Sequence, residues 1–160
     1  MLKLSGSVCI DAPATAVWSV LSKLESVHLW IDSIERSYCP AQSRGVGAAR
    51  VCELKQATII ETIVEWDEGR SFRYEGKGVP MMKRATNLWT VIPQGDQTLV
   101  TSEAELEIKG GVFGRLLEPV MKAVFSRMGP RSLASLKYIV EHGQPYSGPS
   151  HLLPLAPVGC

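Results

Sequence analysis

Residues 112–142, VFGRLLEPVMKAVFSRMGPRSLASLKYIVEH, are the longest segment of the chain with helical periodicity. Apolar side chains recur there every three or four residues, which predicts a long helix with one broad apolar face. Gly129-Pro130 predicts a kink in this helix, and Gly143 predicts its end. The apolar positions are Leu116, Leu117, Val120, Met121, Val124, Phe125 and Met128, followed by Leu133, Leu136, Ile139 and Val140.

The sequence before this helix alternates between polar and apolar side chains, a period typical of β-strands. Six strands are predicted there, at residues 34–39, 48–54, 57–66, 71–77, 83–93 and 98–109. Residues 2–10 alternate more loosely and predict one earlier strand. Because mainly short turns separate the later strands, we expect one seven-stranded antiparallel sheet.

Residues 10–30, IDAPATAVWSVLSKLESVHLW, predict two short helices after the first strand. Asp11-Ala12-Pro13 supplies a helix start, and Leu29 and Trp30 belong to the second, shorter helix. Since the C-terminal helix is the only large cover for the sheet, the sheet must curve around it. The space between the two predicts a cavity in an α+β fold.

Composition and charge describe one globular domain without a strong electrostatic field. Hydrophobic residues make up 45% of the 160 residues, and the net charge is +1 at pH 7. We therefore expect no nucleic-acid partner, and no apolar run approaches the length of about 20 residues that a membrane span needs. The expected organisation is a domain at residues 1–143, a Pro- and Gly-rich tail at residues 144–160, and a cytoplasmic location.

The four cysteines form no metal-binding or redox motif. Cys9, Cys39 and Cys52 lie in strand-like runs and are expected to be free, small hydrophobic residues in a reduced protein. Cys160 stands alone as the last residue of the sequence. The three histidines lack metal-ligand spacing, and no nucleophile elbow or phosphate-binding loop occurs. We therefore expect no metal and no cofactor.

Four stretches in this order resemble the START-like, or SRPBCC, superfamily with its helix-grip fold. They are residues 10–30, ETIVEWDEGRSFRYE at 61–75, NLWTVIPQGDQTLVTSEAELE at 87–107, and residues 111–141. The nearest group by resemblance is the polyketide cyclase/dehydrase and lipid-transport group. The resemblance implies that the two short helices close one end of a ligand cavity. It also implies that the apolar loop tip formed by Val79, Pro80, Met81 and Met82 gates that cavity. The alternative is that this tip packs on the long helix or on another subunit.

Alternation assigns one face of each strand to the cavity, with charged residues marking the outer face. In the fourth strand this predicts that Thr58, Ile60, Thr62, Val64 and Trp66 point inward. In the later strands it selects Phe72, Tyr74, Gly76, Asn87, Trp89, Val91, Val100, Ser102, Ala104, Leu106 and Ile108. The long helix contributes Leu117, Met121, Val124 and Met128. Trp18 and Trp30 are expected at the floor or rim, as packing residues or as a ligand contact.

This lining predicts a binding protein for a hydrophobic or amphipathic small molecule, for transport or sequestration. The alternative is a polyketide cyclase/dehydratase-type enzyme, for which Tyr74 and Asn87 are the candidate catalytic groups. No inward Arg, Asp or His is predicted, and Arg36 qualifies only if the face of its strand is reversed. A co-chaperone-like interaction protein is a third hypothesis, with the tail or the loop tip as its contact surface. The sequence identifies neither the ligand nor the oligomeric state, and a homodimer is one of the alternatives.

Overall fold

The computed structural model describes residues 1–160 and contains one antiparallel sheet of seven strands. The strand order is β1-β7-β6-β5-β4-β3-β2, so β2 to β7 form a meander and β1 pairs with the last strand. This confirms the predicted α+β class and the predicted sheet. The strands are β1 (Leu2–Ile10), β2 (Arg36–Tyr38), β3 (Ala49–Leu54), β4 (Ala57–Asp67), β5 (Ser71–Lys77), β6 (Met82–Gln94) and β7 (Gln97–Ile108).

Two helical segments follow β1, as predicted, and a long helix follows β7. Helix α1 covers Ala14–Leu21, and a first 3-10 helix covers Leu24–Leu29, so that Trp30 lies directly after it. Helix α2 covers Gly111–His142 and contains Pro119 and Pro130. A second, short 3-10 helix lies in the tail at Ser150–Leu152. None of these helices is long and apolar enough to cross a membrane.

Helix α2 packs mainly on β1, with smaller contacts to β7 and α1. The two elements approach closely at Gly6 of β1, where an added Cβ would lie 3.0 Å from Leu133 Cδ1. Gly6 therefore lets the C-terminal half of α2 lie directly on the sheet. The N-terminal half of α2 is less covered, since Leu117, Val124 and Met128 are all exposed.

The apolar core is divided into two clusters on the concave face of the sheet. The larger cluster joins α1 and the first 3-10 helix to the sheet and includes Trp18, Trp30, Phe72, Trp89 and Leu136. The smaller cluster lies at the opposite end of the strands and consists of Leu2, Met82, Ala85, Leu106 and Ile108. The residues between the two clusters are the ones available for a site.

The predicted inward face of β4 is wrong from residue 58 to residue 64. Ile60 and Val64 are exposed on the outer face, and Thr58 and Thr62 share that face because they alternate with them. The inward residues are Ile59, Glu61 and Ile63, and a bulge between Ile63 and Glu65 then turns Trp66 inward as predicted. The inward assignments in β5, β6 and β7 match the observed pairing register.

The prediction that Cys9 is free is also wrong, because Cys9 forms a disulfide with Cys160, with their Cα atoms 5.1 Å apart. Cys39 and Cys52 are free, as predicted. The tail returns to the edge of β1, where Cys9 N donates a hydrogen bond to Pro157 O at 2.9 Å. Disulfides are rare in reducing compartments, so the cysteines no longer support a cytoplasmic location, which stays a prediction.

Candidate functional site

A band of polar side chains crosses the concave face of the sheet between the two apolar clusters. Asn87 of β6 lies beside Tyr74 of β5, and its Nδ2 donates to the Tyr74 hydroxyl at 3.4 Å. Ser102 of β7 donates its hydroxyl hydrogen to Asn87 Oδ1 at 3.0 Å. All three residues are half-buried, as is the adjacent Ala104. The sequence predicted these four inward residues, and the structure brings them together as one continuous surface.

A buried ion pair extends this band toward β4 and β3. Arg50 of β3 is directly opposite Glu61 of β4, and its Nε donates to Glu61 Oε2. The Arg50 side chain is only 2% exposed, and that of Glu61 is 13% exposed. The guanidinium carbon lies 4.9 Å from the centre of the Tyr74 ring, within the range of a cation–π contact. The pair thus joins the polar band at Tyr74.

Sequence reasoning missed this pair because Glu61 was placed on the solvent face and Arg50 was assigned to neither face. Arg50 alternates with Ala48 and Cys52, both of which are buried. An arginine flanked two residues away by small or apolar side chains was a signal for an inward guanidinium. Glu61, with Ile59 and Ile63 on its face, carried the same signal. Arg36, the alternative considered from the sequence, is exposed instead.

The environment sets the protonation states within this band. Burial raises the pKa of the Tyr74 phenol, and the charge of Glu61 raises it further. Burial and Glu61 likewise raise the pKa of the Cys52 thiol to about 12. Burial would by itself lower the pKa of Arg50, but the neighbouring Glu61, Tyr74 and Cys52 outweigh it and raise that pKa. Near neutral pH the site therefore holds a charged guanidinium, a neutral phenol and a neutral thiol.

The indole nitrogen of Trp89 is a buried hydrogen-bond donor without an acceptor in the protein. Trp89 is 4% exposed, and its ring makes an edge contact with Trp30 at a centroid distance of 5.4 Å. Burial and Glu61 dominate the raised pKa of the Tyr74 phenol, and the neighbouring Trp89 N–H acts against them to lower that pKa. Unpaired buried donors are rare in folded proteins, so this atom is a candidate contact for a bound molecule.

A small surface pocket of about 160 Å³ lies between α2 and the residues that follow the first 3-10 helix. Its wall includes Trp30 and Ile31 on one side, Met128 and Ser135 of α2 on the other, and Ser150 of the tail. Exposed Leu117 and Val124 continue the apolar flank of α2 from this opening. Met121 lies on an adjacent side of α2 and packs on the smaller apolar cluster. Trp30 and Met128, both predicted site residues, are therefore neighbours at this pocket.

The other predicted site residues have less access to the cavity. Phe72 and Leu106 are buried within the two apolar clusters. Ile60, Thr62 and Val64 point away from the cavity, because the charged Glu61 occupies the inner face and the bulge changes the alternation. They are therefore removed from the candidate lining.

The predicted gate loop divides into a packed part and an exposed part. Val79 packs on the smaller apolar cluster, and Met82 is buried within it at the start of β6. Pro80 is exposed, and Met81 is 49% exposed with a φ of 62°. Only Pro80 and Met81 are placed to contact a molecule arriving from outside.

Comparison with known protein families gives a match over nearly the whole chain. A family model described as polyketide cyclase / dehydrase and lipid transport matches residues 1–141. The chain belongs to this family. The match confirms the resemblance seen in the sequence, and it ends before the tail that carries Cys160. No curated protein matches the chain.

Solved structures similar to this member of the polyketide cyclase/dehydrase and lipid transport family support the helix-grip fold. A protein from Thermobifida fusca is 25% identical, with a TM-score of 0.68 over 89% of this chain and 97% of its own. A START superfamily protein from Mycobacterium smegmatis is 18% identical, with a TM-score of 0.70 over 89% and 99%. An aromatase/cyclase from a Streptomyces species is 15% identical, with a TM-score of 0.75 over 88% and 93%.

Proposed function

We propose that the protein binds an apolar or amphipathic small molecule on the concave face of its sheet, for transport or sequestration. The observation that carries this proposal is the half-buried band of Tyr74, Asn87, Ser102 and Ala104 between two closed apolar clusters. A folded protein normally fills such a position with core side chains, whereas ligand sites combine apolar walls with a few polar groups. The family description, which includes lipid transport, supports the same function.

The apolar walls and the polar band would act on different parts of the ligand. The exposed flank of α2, with Leu117, Val124 and Met128, supplies apolar surface that is removed from water when a ligand binds. The band supplies hydrogen bonds that orient the ligand. Met128 suits ligands of varied shape because its side chain is flexible and polarizable.

The test compares substitutions at two adjacent positions of β7 whose side chains point to opposite faces of the sheet. Ala104→Phe places a ring inside the proposed site, whereas Glu103→Phe places the same ring on the exposed outer face. Nile red, a neutral apolar dye, serves as the probe in a fluorescence titration. We expect Ala104→Phe to weaken dye binding at least tenfold and Glu103→Phe to leave it within twofold of the wild type. Equal binding by all three proteins would place the dye elsewhere and refute the proposal.

An enzymatic function is the second candidate, favoured by the inward Glu61 and Tyr74. A cyclase or dehydratase needs at least one acid or base that faces its substrate. Glu61 is held by Arg50, and the raised pKa of Tyr74 makes it a poor base near neutral pH. If the protein turns over a polyketide-like substrate, Tyr74→Phe will abolish turnover and retain Nile red binding. Binding without turnover in the wild type supports the transport or sequestration function instead.

A further inference from the structure

The tail at residues 144–160 has few noncovalent contacts that could hold it to the domain. Of its apolar side chains, Ala156 packs on the larger apolar cluster. Three others are exposed to water: Leu152, Leu155 and Val158. Burial of so little apolar surface offsets only a small part of the conformational entropy that a docked segment of this length loses. The Cys9–Cys160 disulfide is therefore the main attachment of the tail.

The docked tail covers the end of an edge strand and forms one wall of the surface pocket beside α2. β1 is the outermost strand of the sheet, and Cys9 N donates to Pro157 O at 2.9 Å on its open side. Ser150 lies in the wall of the pocket that also contains Trp30 and Met128. Release of the tail would expose the Cys9 N–H to water and widen this pocket.

The rest of the domain keeps its own contacts at this edge when the tail is absent. Lys137 Nζ of α2 donates to Cys9 O at 3.0 Å, and Asp11 N donates to Glu141 Oε1 at 3.2 Å. On its other side, β1 pairs with β7 from Leu2 to Ile10. The family match also ends at residue 141, before the tail begins. Opening of the disulfide should therefore free the tail while the sheet stays folded.

We propose that the Cys9–Cys160 disulfide is a redox-controlled latch, which a dithiol reductant opens to release the tail from β1 and from the pocket. This inference goes beyond the proposed function and does not depend on ligand binding. In an oxidising compartment the tail stays docked, and in a compartment that supplies reduced dithiols it is free.

The exposure of the two cysteines sets the order of the exchange steps. Cys160 is exposed, whereas Cys9 is 4% exposed, so the sulfur of Cys160 is the accessible one. A thiolate of the dithiol attacks this sulfur, the bond to Cys9 breaks, and Cys9 leaves as a thiolate that takes up a proton. The second thiolate of the dithiol then attacks the mixed disulfide and releases Cys160. The dithiol is oxidised by two electrons to a disulfide, and the protein gains two thiols.

Hydrogen exchange of single backbone amides, measured by NMR, tests the latch in the whole chain. The wild type is compared in its oxidised form, after treatment with dithiothreitol, and after reoxidation. We expect reduction to accelerate exchange of the Cys9 N–H about tenfold or more, because its acceptor Pro157 O leaves with the tail, and reoxidation to reverse this. Exchange of the Val100 N–H, which lies inside the sheet between β1 and β6, should stay within about twofold.

Two variants separate release of the tail from other effects of the reductant. Cys160→Ser should give fast exchange of the Cys9 N–H without dithiothreitol, whereas the control Cys39→Ser keeps the disulfide and should match the wild type in both states. Slow exchange at Cys9 in reduced wild type would show that the tail stays docked without the disulfide and would overturn the latch. A disulfide that dithiothreitol leaves closed in the folded protein would overturn it as well. So would equal acceleration at Cys9 and Val100, because the whole sheet then opens.

Discussion

Removal of one partner from the buried pair of Arg50 and Glu61 should destabilise the protein far more than removal of both. With Glu61→Leu, a guanidinium that is only 2% exposed loses its counter-charge. Breaking a buried pair in this way costs about 3–5 kcal/mol of unfolding free energy, because an uncompensated charge is left behind. The retained contact of Arg50 with the Tyr74 ring offsets roughly 1 kcal/mol, so we expect the lower end of that range. Arg50→Met should show a loss of similar size, since Glu61 is then left without its partner.

The double variant, Arg50→Met with Glu61→Leu, should recover most of the lost stability. Two apolar side chains of similar volume can replace a buried ion pair at little net change in free energy. Urea denaturation followed by circular dichroism measures the four proteins of this cycle. The exposed pair of Arg73 and Glu65 is the control, and its coupling should stay below about 1 kcal/mol. A loss below about 1 kcal/mol for Glu61→Leu would show that the pair is hydrated and would refute its burial beside the polar band.

Three further predictions concern the tail, the Cys52 thiol and one turn. Cys160→Ser removes a disulfide that links residues 151 positions apart, and it should lower the unfolding free energy by up to about 5 kcal/mol in non-reducing urea. The control Cys39→Ser changes a free cysteine and should alter the unfolding free energy little. Equal stabilities of the two variants would contradict the Cys9–Cys160 link. The pKa of the Cys52 thiol is about 12 in the folded protein, against its ordinary value of 9.0. Between these two pH values only the unfolded chain loses the thiol proton. The unfolding free energy should therefore fall by up to about 1.4 kcal/mol per pH unit as the pH rises through this range. Cys52→Ala should reduce this slope, and an unchanged slope would contradict the raised pKa. Gly78→Ala places a Cβ 2.4 Å from Thr58 O and should lower the unfolding free energy in urea by about 2–3 kcal/mol. Gly95 has a similar positive φ but open space around it, so Gly95→Ala should lower it by about 1 kcal/mol. Equal losses for the two variants would contradict the close approach of Gly78 to Thr58.

The sequence predicted the sheet and the long helix well because both have strong periodic signals. The inner face of β7 was predicted correctly, because charged side chains mark its outer face. These charged side chains include Glu103, Glu105 and Glu107. The same rule failed in β4, because Glu61 is neutralised by a partner on another strand. Alternation cannot show such a partner until the register of β3 and β4 is known.

Two other features had no local signal that sequence reasoning could use. The bulge at Val64 adds one residue to β4, so that Ile63 and Trp66 both point inward although they are three positions apart. The disulfide joins two cysteines at opposite ends of the chain, and only the return of the tail to β1 brings them together. The paired charges of the site and the attachment of the tail therefore depend on tertiary contacts.

A ligand held on the concave face should accompany the protein when it is purified from its own host. Native mass spectrometry of the wild type, Ala104→Phe and Glu103→Phe detects such a ligand whatever its chemical identity. We predict an added mass of a small apolar compound on the wild type and on Glu103→Phe, and its loss from Ala104→Phe. An added mass that persists unchanged in Ala104→Phe, or a wild type that carries none, would contradict a ligand site on the concave face.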